Sequence, residues 1–245
     1  MFQHLQAAPP DAILGLNEAF AADTTEGKIN LTTGVYKDAT GITPVLDCVK
    51  QAERRLVETE TSKGYLGIDG MKEFRDRARG LLFGTEHEIT TSGRTATIQA
   101  PGGTGALRVA AEFLRRAFPH ARIWCSRPTW ANHTGIFTAA GLEVDAYSYY
   151  DAAAGTLDAQ ALLDSLAKIP AGDIVCLHAC CHNPTGVDPS IEQWQEISQV
   201  ISDRGLLPLV DFAYQGFGDG LEADAEGLRA LVDAGGPLLV ASSFS

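Results

Sequence analysis

The chain has 245 residues, enough for one large domain or a domain plus a smaller lobe, and its 45% hydrophobic and 20% charged content is ordinary for a soluble globular protein. Nineteen basic against 31 acidic residues leave a net charge of −12 with no Lys/Arg stripe, which argues against a nucleic-acid partner or a membrane-surface role. No apolar run reaches transmembrane length, and the start MFQHLQAAPPD has neither the basic nor the hydrophobic region of a targeting segment.

In chain order, residues 1–10 read as an arm without a packing pattern, and 11–23 as a short amphipathic helix with Asp11 near its start. A strand followed by a turn-rich loop around Gly34 is predicted over 28–41. After Pro44, taken as a first-turn proline, a helix is predicted with Val45, Val49, Ala52 and Leu56 on its buried side. The glycine-rich 64–70 stretch is irregular, and helix returns from Met71 to Gly84. This first part leans helical with irregular loops, as a smaller lobe would.

From residue 96 the texture becomes strand–helix alternation. A β-prone run (96–100), the glycine turn at Gly102, Gly103 and Gly105, and a helix carrying Leu107, Ala110, Leu114 and Ala117 come first. Strands are predicted at 122–126, 142–149, 174–179, 206–211 and 237–244, with helices at 132–141, 156–170 (capped near Asp158), 190–204 and 224–234. That alternation means an α/β fold: a mostly parallel sheet covered by helices on both faces.

Two apolar runs, 174–186 and 206–217, end in polar residues: Asn183 after the first, Asp211 and Tyr214 after the second. Both ends fall on one rim of a parallel sheet, where open α/β sheets bind ligands. A carboxylate leaving a buried strand needs a cationic or hydrogen-bonded partner. Gly102-Gly103-Thr104-Gly105, at a helix start, offers free N–H groups to a phosphate, although a tight turn without a ligand explains it equally. Arg108 stands where a dinucleotide fingerprint has its third glycine, and no G-x-S-x-G elbow is present. The five cysteines form no C-x-x-C pair and read as reduced cytoplasmic thiols. Cys180 with His178 and His182 lacks the paired second half of a zinc site, so these read as buried strand residues and no metal is expected.

A phosphate grip at Gly103 and Thr104, an aromatic platform at Trp130, an amide at Asn183, a carboxylate at Asp211 and a phenol at Tyr214 together suit a charged heteroaromatic phosphate. Pyridoxal 5′-phosphate (PLP) has that chemistry: its ring nitrogen needs an anion, its phenolic oxygen needs donors, and its ring face needs an aromatic stack.

The motifs GVYKDATG (34–41), YLGIDG (65–70), PGGTGALRVAA (101–111), PTWANH (128–133), CCHNPTG (180–186), DFAYQGF (211–217) and ASSFS (241–245) resemble, in the same order, those of the class I PLP-dependent aminotransferases. The nearest branch is that of aspartate and aromatic amino acids, and the resemblance runs from about Gly15 onward. It implies fold type I, with 1–45 as arm and part of a small domain and 46–245 as the large PLP-binding domain. Asp211 would pair with the pyridinium, Tyr214 and Asn183 would bond the phenolic oxygen, and Trp130 would stack on the ring. Gly103, Thr104 and Ser243 would hold the phosphate, joined by Tyr65 of a second subunit in a homodimer. Gly34, Trp130 and Asn183 would meet the substrate. His133 would orient Asp211 with His178 nearby, though a purely structural burial accounts for both histidines as well. The peptides preceding Pro128 and Pro184 are expected cis.

The resemblance also implies an amino group moved between an acidic or aromatic amino acid and a 2-oxo acid, with Asp211, Tyr214 and Trp130 at the reacting centre. Lyase or decarboxylase chemistry on the same fold, or a non-catalytic PLP-binding module, are the alternatives. Two departures stand out. Gly102 occupies a place where the family often has serine. The cofactor-binding lysine is expected directly after Ser245, outside this sequence, together with the substrate-binding arginines. A segment of a longer polypeptide is therefore expected, which an intact mass would test.

Overall fold

The computed structural model describes residue 3 and residues 14–30 and 34–244; the predicted arm, the Asp11 helix start and Ser245 lie outside the described residues. The chain divides into two compact units, Met1–Gly64 and Tyr65–Ser245. Sequence reasoning set its boundary at 45/46 instead.

The first unit contains α1 (Leu14–Ala22) and α2 (Asp47–Thr59). Lys28 lies over the Phe20 ring and bonds the carbonyls of Phe20 and Asp23, closing the end of α1. Of the strand expected from residue 28, 28–30 and 34–38 are irregular, and 31–33 lie outside the described residues. Asp38 organises the next turn through Thr40 and the Ile42 N–H. Pro44 precedes α2 rather than starting it, since Leu46 is the N-cap. Val45, Val49, Ala52 and Leu56 are exposed, not buried. An apolar helix stripe is buried only where another apolar surface meets it, and no described residue covers this one.

In the second unit α3 (Lys72–Phe83), α4 (Glu88–Thr91) and α5 (Gly102–Ala117) come first. Residues 96–100 are irregular despite their β-prone composition; Gln99 pairs its N–H with the Asp69 carbonyl and joins no ladder. Then follow β1 (Arg122–Arg127), α6 (Ala131–Ala139), β2 (Glu143–Ser148), the short antiparallel pair β3 (Tyr150–Asp151) and β4 (Thr156–Leu157), and α7 (Ala159–Leu166). The remaining elements are β5 (Ile174–His178), α8 (Ile191–Arg204), β6 (Leu207–Phe212), α9 (Glu226–Asp233) and β7 (Leu239–Ser242). Local chemistry sets the helix ends: Asp158 caps α7, Ser190 and Gln193 form a reciprocal capping box on α8, and Gly205 closes α8 at φ 61°.

Among the described residues one parallel sheet runs β2-β1-β5-β6-β7. Alternate side chains of the central strands enter two cores. Val175, Leu177, Val210 and Phe212 pack in one, with Trp194 and Leu228. Ile123, Ile174, Cys176 and Leu209 pack in the other, with Leu107 and Phe137. A sheet covered on both faces gives its strands nearly continuous apolar runs. The chain leaves β1 for β2, returns to the other side of β1 as β5, and proceeds outward to β7. The winding direction therefore switches between β1 and β5, which opens a crevice at the carboxyl ends of these strands.

Candidate active site

That rim is where the polar residues gather. A cavity of about 250 Å³ is lined by Gly103, Thr104, Trp130, His178, Asn183, Asp211, Tyr214 and Ser243, with Pro101, Gly102, Leu107, Cys180 and Ala213 completing it. Trp130 follows β1, Asn183 follows β5, Asp211 and Tyr214 stand at the end of β6, and Ser243 follows β7. Register places His178 directly beside Asp211, and Asp211 beside Ala241.

One end of the cavity is the start of α5. No side chain caps this helix and its first turn holds no acidic residue, so its first amides are free to meet an anion. Gly102 has φ +66° with open space beside it, while a Cβ on Gly103 would lie 3.4 Å from Ser243 Cβ. Gly103 therefore brings backbone and hydroxyl together without a side chain between them.

Asp211 carries the opposite charge of the site. It is 7% exposed, and its one described side-chain hydrogen bond is accepted by Oδ2 from His133 Nε2, 3.0 Å away. His133 is fully buried, and its Nδ1 lies 2.8 Å from Thr129 Oγ1. With Nε2 donating to the carboxylate, Nδ1 is the nitrogen left to accept the Thr129 proton. The imidazole stacks on Phe137 and meets Trp130 edge-on. His178 also lines the cavity; its ring nitrogens have no hydrogen-bond partner, and burial, reinforced by His182 and His133, pushes its pKa down to about 2. It is a neutral imidazole at any physiological pH.

The loop carrying Tyr214 is held from behind. Buried Asp224 accepts the N–H groups of Gly216, Gly218 and Asp219, and Gln215 donates to the carbonyls of Leu81 and Leu221. Asp224 Oδ1 would lie 2.6 Å from a Cβ on Gly218, so that turn admits only glycine. Both the Arg127–Pro128 and Asn183–Pro184 peptides are cis.

Three predicted residues do not line the cavity: Tyr65, Gly34 and His133, the last reaching it only through Asp211. Tyr65 is fully exposed, and Gly34 belongs to the first unit, where it is exposed. The converging donor sets among the described residues are Cys125, His133 and Cys176, and His133, His178 and Asp211; Cys180 belongs to neither. Sequence reasoning also overlooked Thr129, Gln215 and Asp224, whose only signal was their nearness to the motif residues.

A helix-start anion site, a buried carboxylate with a single partner, an aromatic wall, an amide and a phenol make a donor set that fits PLP. Among the described residues no lysine or arginine pairs with Asp211, whose ion-pair contact is with the His133 imidazole. The family model for aminotransferase class I and II matches residues 26–245. The chain belongs to that family. Aspartate aminotransferase of Salmonella typhi is 56% identical over the whole chain, which spans 62% of that protein. The structure of an aromatic amino acid aminotransferase from Burkholderia cenocepacia J2315 superimposes with a TM-score of 0.97 at 49% identity, covering 100% of this chain and 62% of the other. An aromatic-amino-acid aminotransferase from Burkholderia pseudomallei, described as covalently bound to pyridoxal phosphate, superimposes equally well (TM-score 0.97, 46% identity, 100% and 61% covered). Fold type I is thus the architecture of this aminotransferase-family chain, with the α/β parallel sheet that its alternating pattern predicted.

Proposed function

We propose that the protein is a PLP-dependent aminotransferase acting between an acidic or aromatic amino acid and a 2-oxo acid. The observation that carries this reading is Asp211: a buried carboxylate with one hydrogen bond, at the carboxyl edge of the sheet and across the cavity from an uncapped helix start. The relatives' names, aspartate and aromatic-amino-acid aminotransferase, support the substrate classes.

When bound, PLP supplies an electron sink for a carbanion beside the amino group and carries that group between the two substrates. Asp211 would keep a proton on the ring nitrogen, its orientation set by the His133 Nε2–H, and that imidazole is fixed in turn by Thr129. Asn183 and Tyr214 would donate to the phenolic oxygen, Trp130 would lie against the ring, and Gly103, Thr104 and Ser243 would hold the phosphate. We assign Gly34 to the substrate carboxylate and Tyr65 to the phosphate of a partner subunit's site. The full exposure of Tyr65, Ile68 and, to a lesser extent, Leu66 supports a homodimer. A cytoplasmic site is supported by five free thiols; no helix among the described residues is long and apolar enough to cross a membrane.

The test is a half-reaction on the purified full-length protein loaded with PLP. L-Aspartate or L-phenylalanine should change the cofactor absorbance to that of its amino form, and 2-oxoglutarate should restore it. Release of ammonia or carbon dioxide without that reversible change would overturn the proposal.

A further inference from the structure

Directly before Asn183 stands His182, 1% exposed and absent from the cavity wall. Its Nε2 lies 2.8 Å from Ser126 Oγ on β1, and its Nδ1 lies 2.8 Å from Thr185 Oγ1. Thr185 Oγ1 accepts the Val187 N–H at 3.2 Å, which leaves its own proton for His182 Nδ1. With Thr185 donating to Nδ1, His182 carries its proton on Nε2 and donates it to Ser126. Tyr147, the register partner of Ser126 on β2, donates its own proton to the Cys176 carbonyl at 2.9 Å. The two bonds of His182 tie the Asn183 turn to β1.

Other contacts immobilise the same turn. The Tyr149 ring stacks on His182 at 4.0 Å and 14°, and its hydroxyl donates to the Val187 carbonyl. The Asp188 carboxylate accepts the N–H groups of Cys181 and His182. Backbone on both sides of Asn183 is therefore pinned, while Asn183 itself faces the cavity. Cationic His182 would present a second donor to Thr185, and burial already pushes its pKa down to about 4.

We infer that His182 is a positioning residue: a neutral Nε2–H strut between β1 and the Asn183 turn that holds the Asn183 amide toward the cofactor's phenolic oxygen. This rests on the proposed contact of Asn183 with PLP, so its test has two separate readouts, both on the full-length protein. In ¹⁵N-histidine NMR, with His182→Phe assigning the signal, His182 should show the Nε2–H pattern unchanged from pH 8 to pH 5. An Nδ1–H pattern, or titration near that of an ordinary imidazole, would overturn the strut. In titrations with PLP, His182→Phe keeps the ring stack but loses both hydrogen bonds, and should weaken binding about fivefold. His182→Gln, which keeps one donor, should fall between Phe and wild type. Asn183→Ala should weaken binding as well, and adding His182→Phe to it should cost nothing further. A silent Asn183→Ala overturns the assigned contact with PLP. An effective Asn183→Ala beside a silent or fully additive His182→Phe overturns the inference about His182 alone. Melting curves on His182→Gln distinguish lost positioning from lost folding: weakened binding at an unchanged midpoint supports positioning, and wild-type binding at a lowered midpoint overturns it.

Discussion

Asp211 and His133 work as a pair because each satisfies what the other's burial demands: the carboxylate gains a donor, and the imidazole gains a fixed tautomer. Asp211→Ala removes the anion and leaves the helix-start amides and Trp130 in place. Turnover should fall at least about a hundredfold while PLP still binds, measured by kcat against a cofactor titration. Near-normal kcat would exclude Asp211 as the partner of the ring nitrogen. The neighbouring histidines carry a different signature. His178 and His182 are held neutral by burial, with pKa values near 2 and 4 against 6.5 for an ordinary imidazole. Below pH 6.5 the unfolded chain therefore binds protons that the folded chain refuses, so stability must fall as pH falls. For His182 that loss runs from about pH 6.5 to 4, and for His178 it continues to about 2. Urea midpoints measured between pH 7 and 4.5 should decline, and His178→Phe should flatten the decline; an unchanged slope in that variant would mean that other groups carry it.

At the level of elements, the helices and strands around the cavity were legible wherever two signals agreed. The α8 segment had an apolar face and Gly205 closing it, and the structure ends the helix there; Ser190, read as its first residue, is instead its cap. The strands β5 and β6 were legible as short apolar runs stopping at polar residues. Where only composition spoke, the reading failed. Residues 96–100 are β-prone but have no neighbouring strand to pair with, and β3 and β4, two residues each, are too short to leave a pattern. The α2 stripe shows the same limit: periodicity reveals a face, not what covers it. Of the site, the motif residues given roles were legible, whereas Thr129 and Gln215, inside the same motifs, and Asp224, beyond one, act through tertiary contacts that no local pattern shows. The crossing of α8 and α9 adds a position that no sequence signal marks. A Cβ on Gly227 would lie 2.5 Å from the Trp194 indole, itself 4% exposed. Gly227→Ala should cost about 1–3 kcal/mol, read as a lowered urea midpoint, because a rigid buried ring has nowhere to move. A neutral effect would mean that the helices can separate freely.

For the molecule as a whole, the proposed dimer makes a sharp demand on Tyr65. The full-length protein should sediment as a dimer, and Tyr65→Phe should weaken PLP binding about fivefold through loss of one phosphate hydrogen bond. Subunits carrying Tyr65→Phe, mixed with subunits carrying Asp211→Ala, should form hybrids in which one site has both native residues. Hybrids showing one site of wild-type affinity would support a Tyr65 that crosses between subunits; hybrids with only weakened sites would place it in its own subunit's site.

The switch in winding between β1 and β5 has a further consequence in time. Gly103 and Ser243 both line the cavity, yet one precedes the first strand of the sheet and the other follows β7. No early fragment of the sheet owns a complete anion site. The cavity comes into being only when β7 docks beside β6, after long loops have closed and their entropy has been lost. PLP bound there as proposed would have nothing complete to grip while the sheet is growing, and would act on the folding chain as a late latch, not as a template.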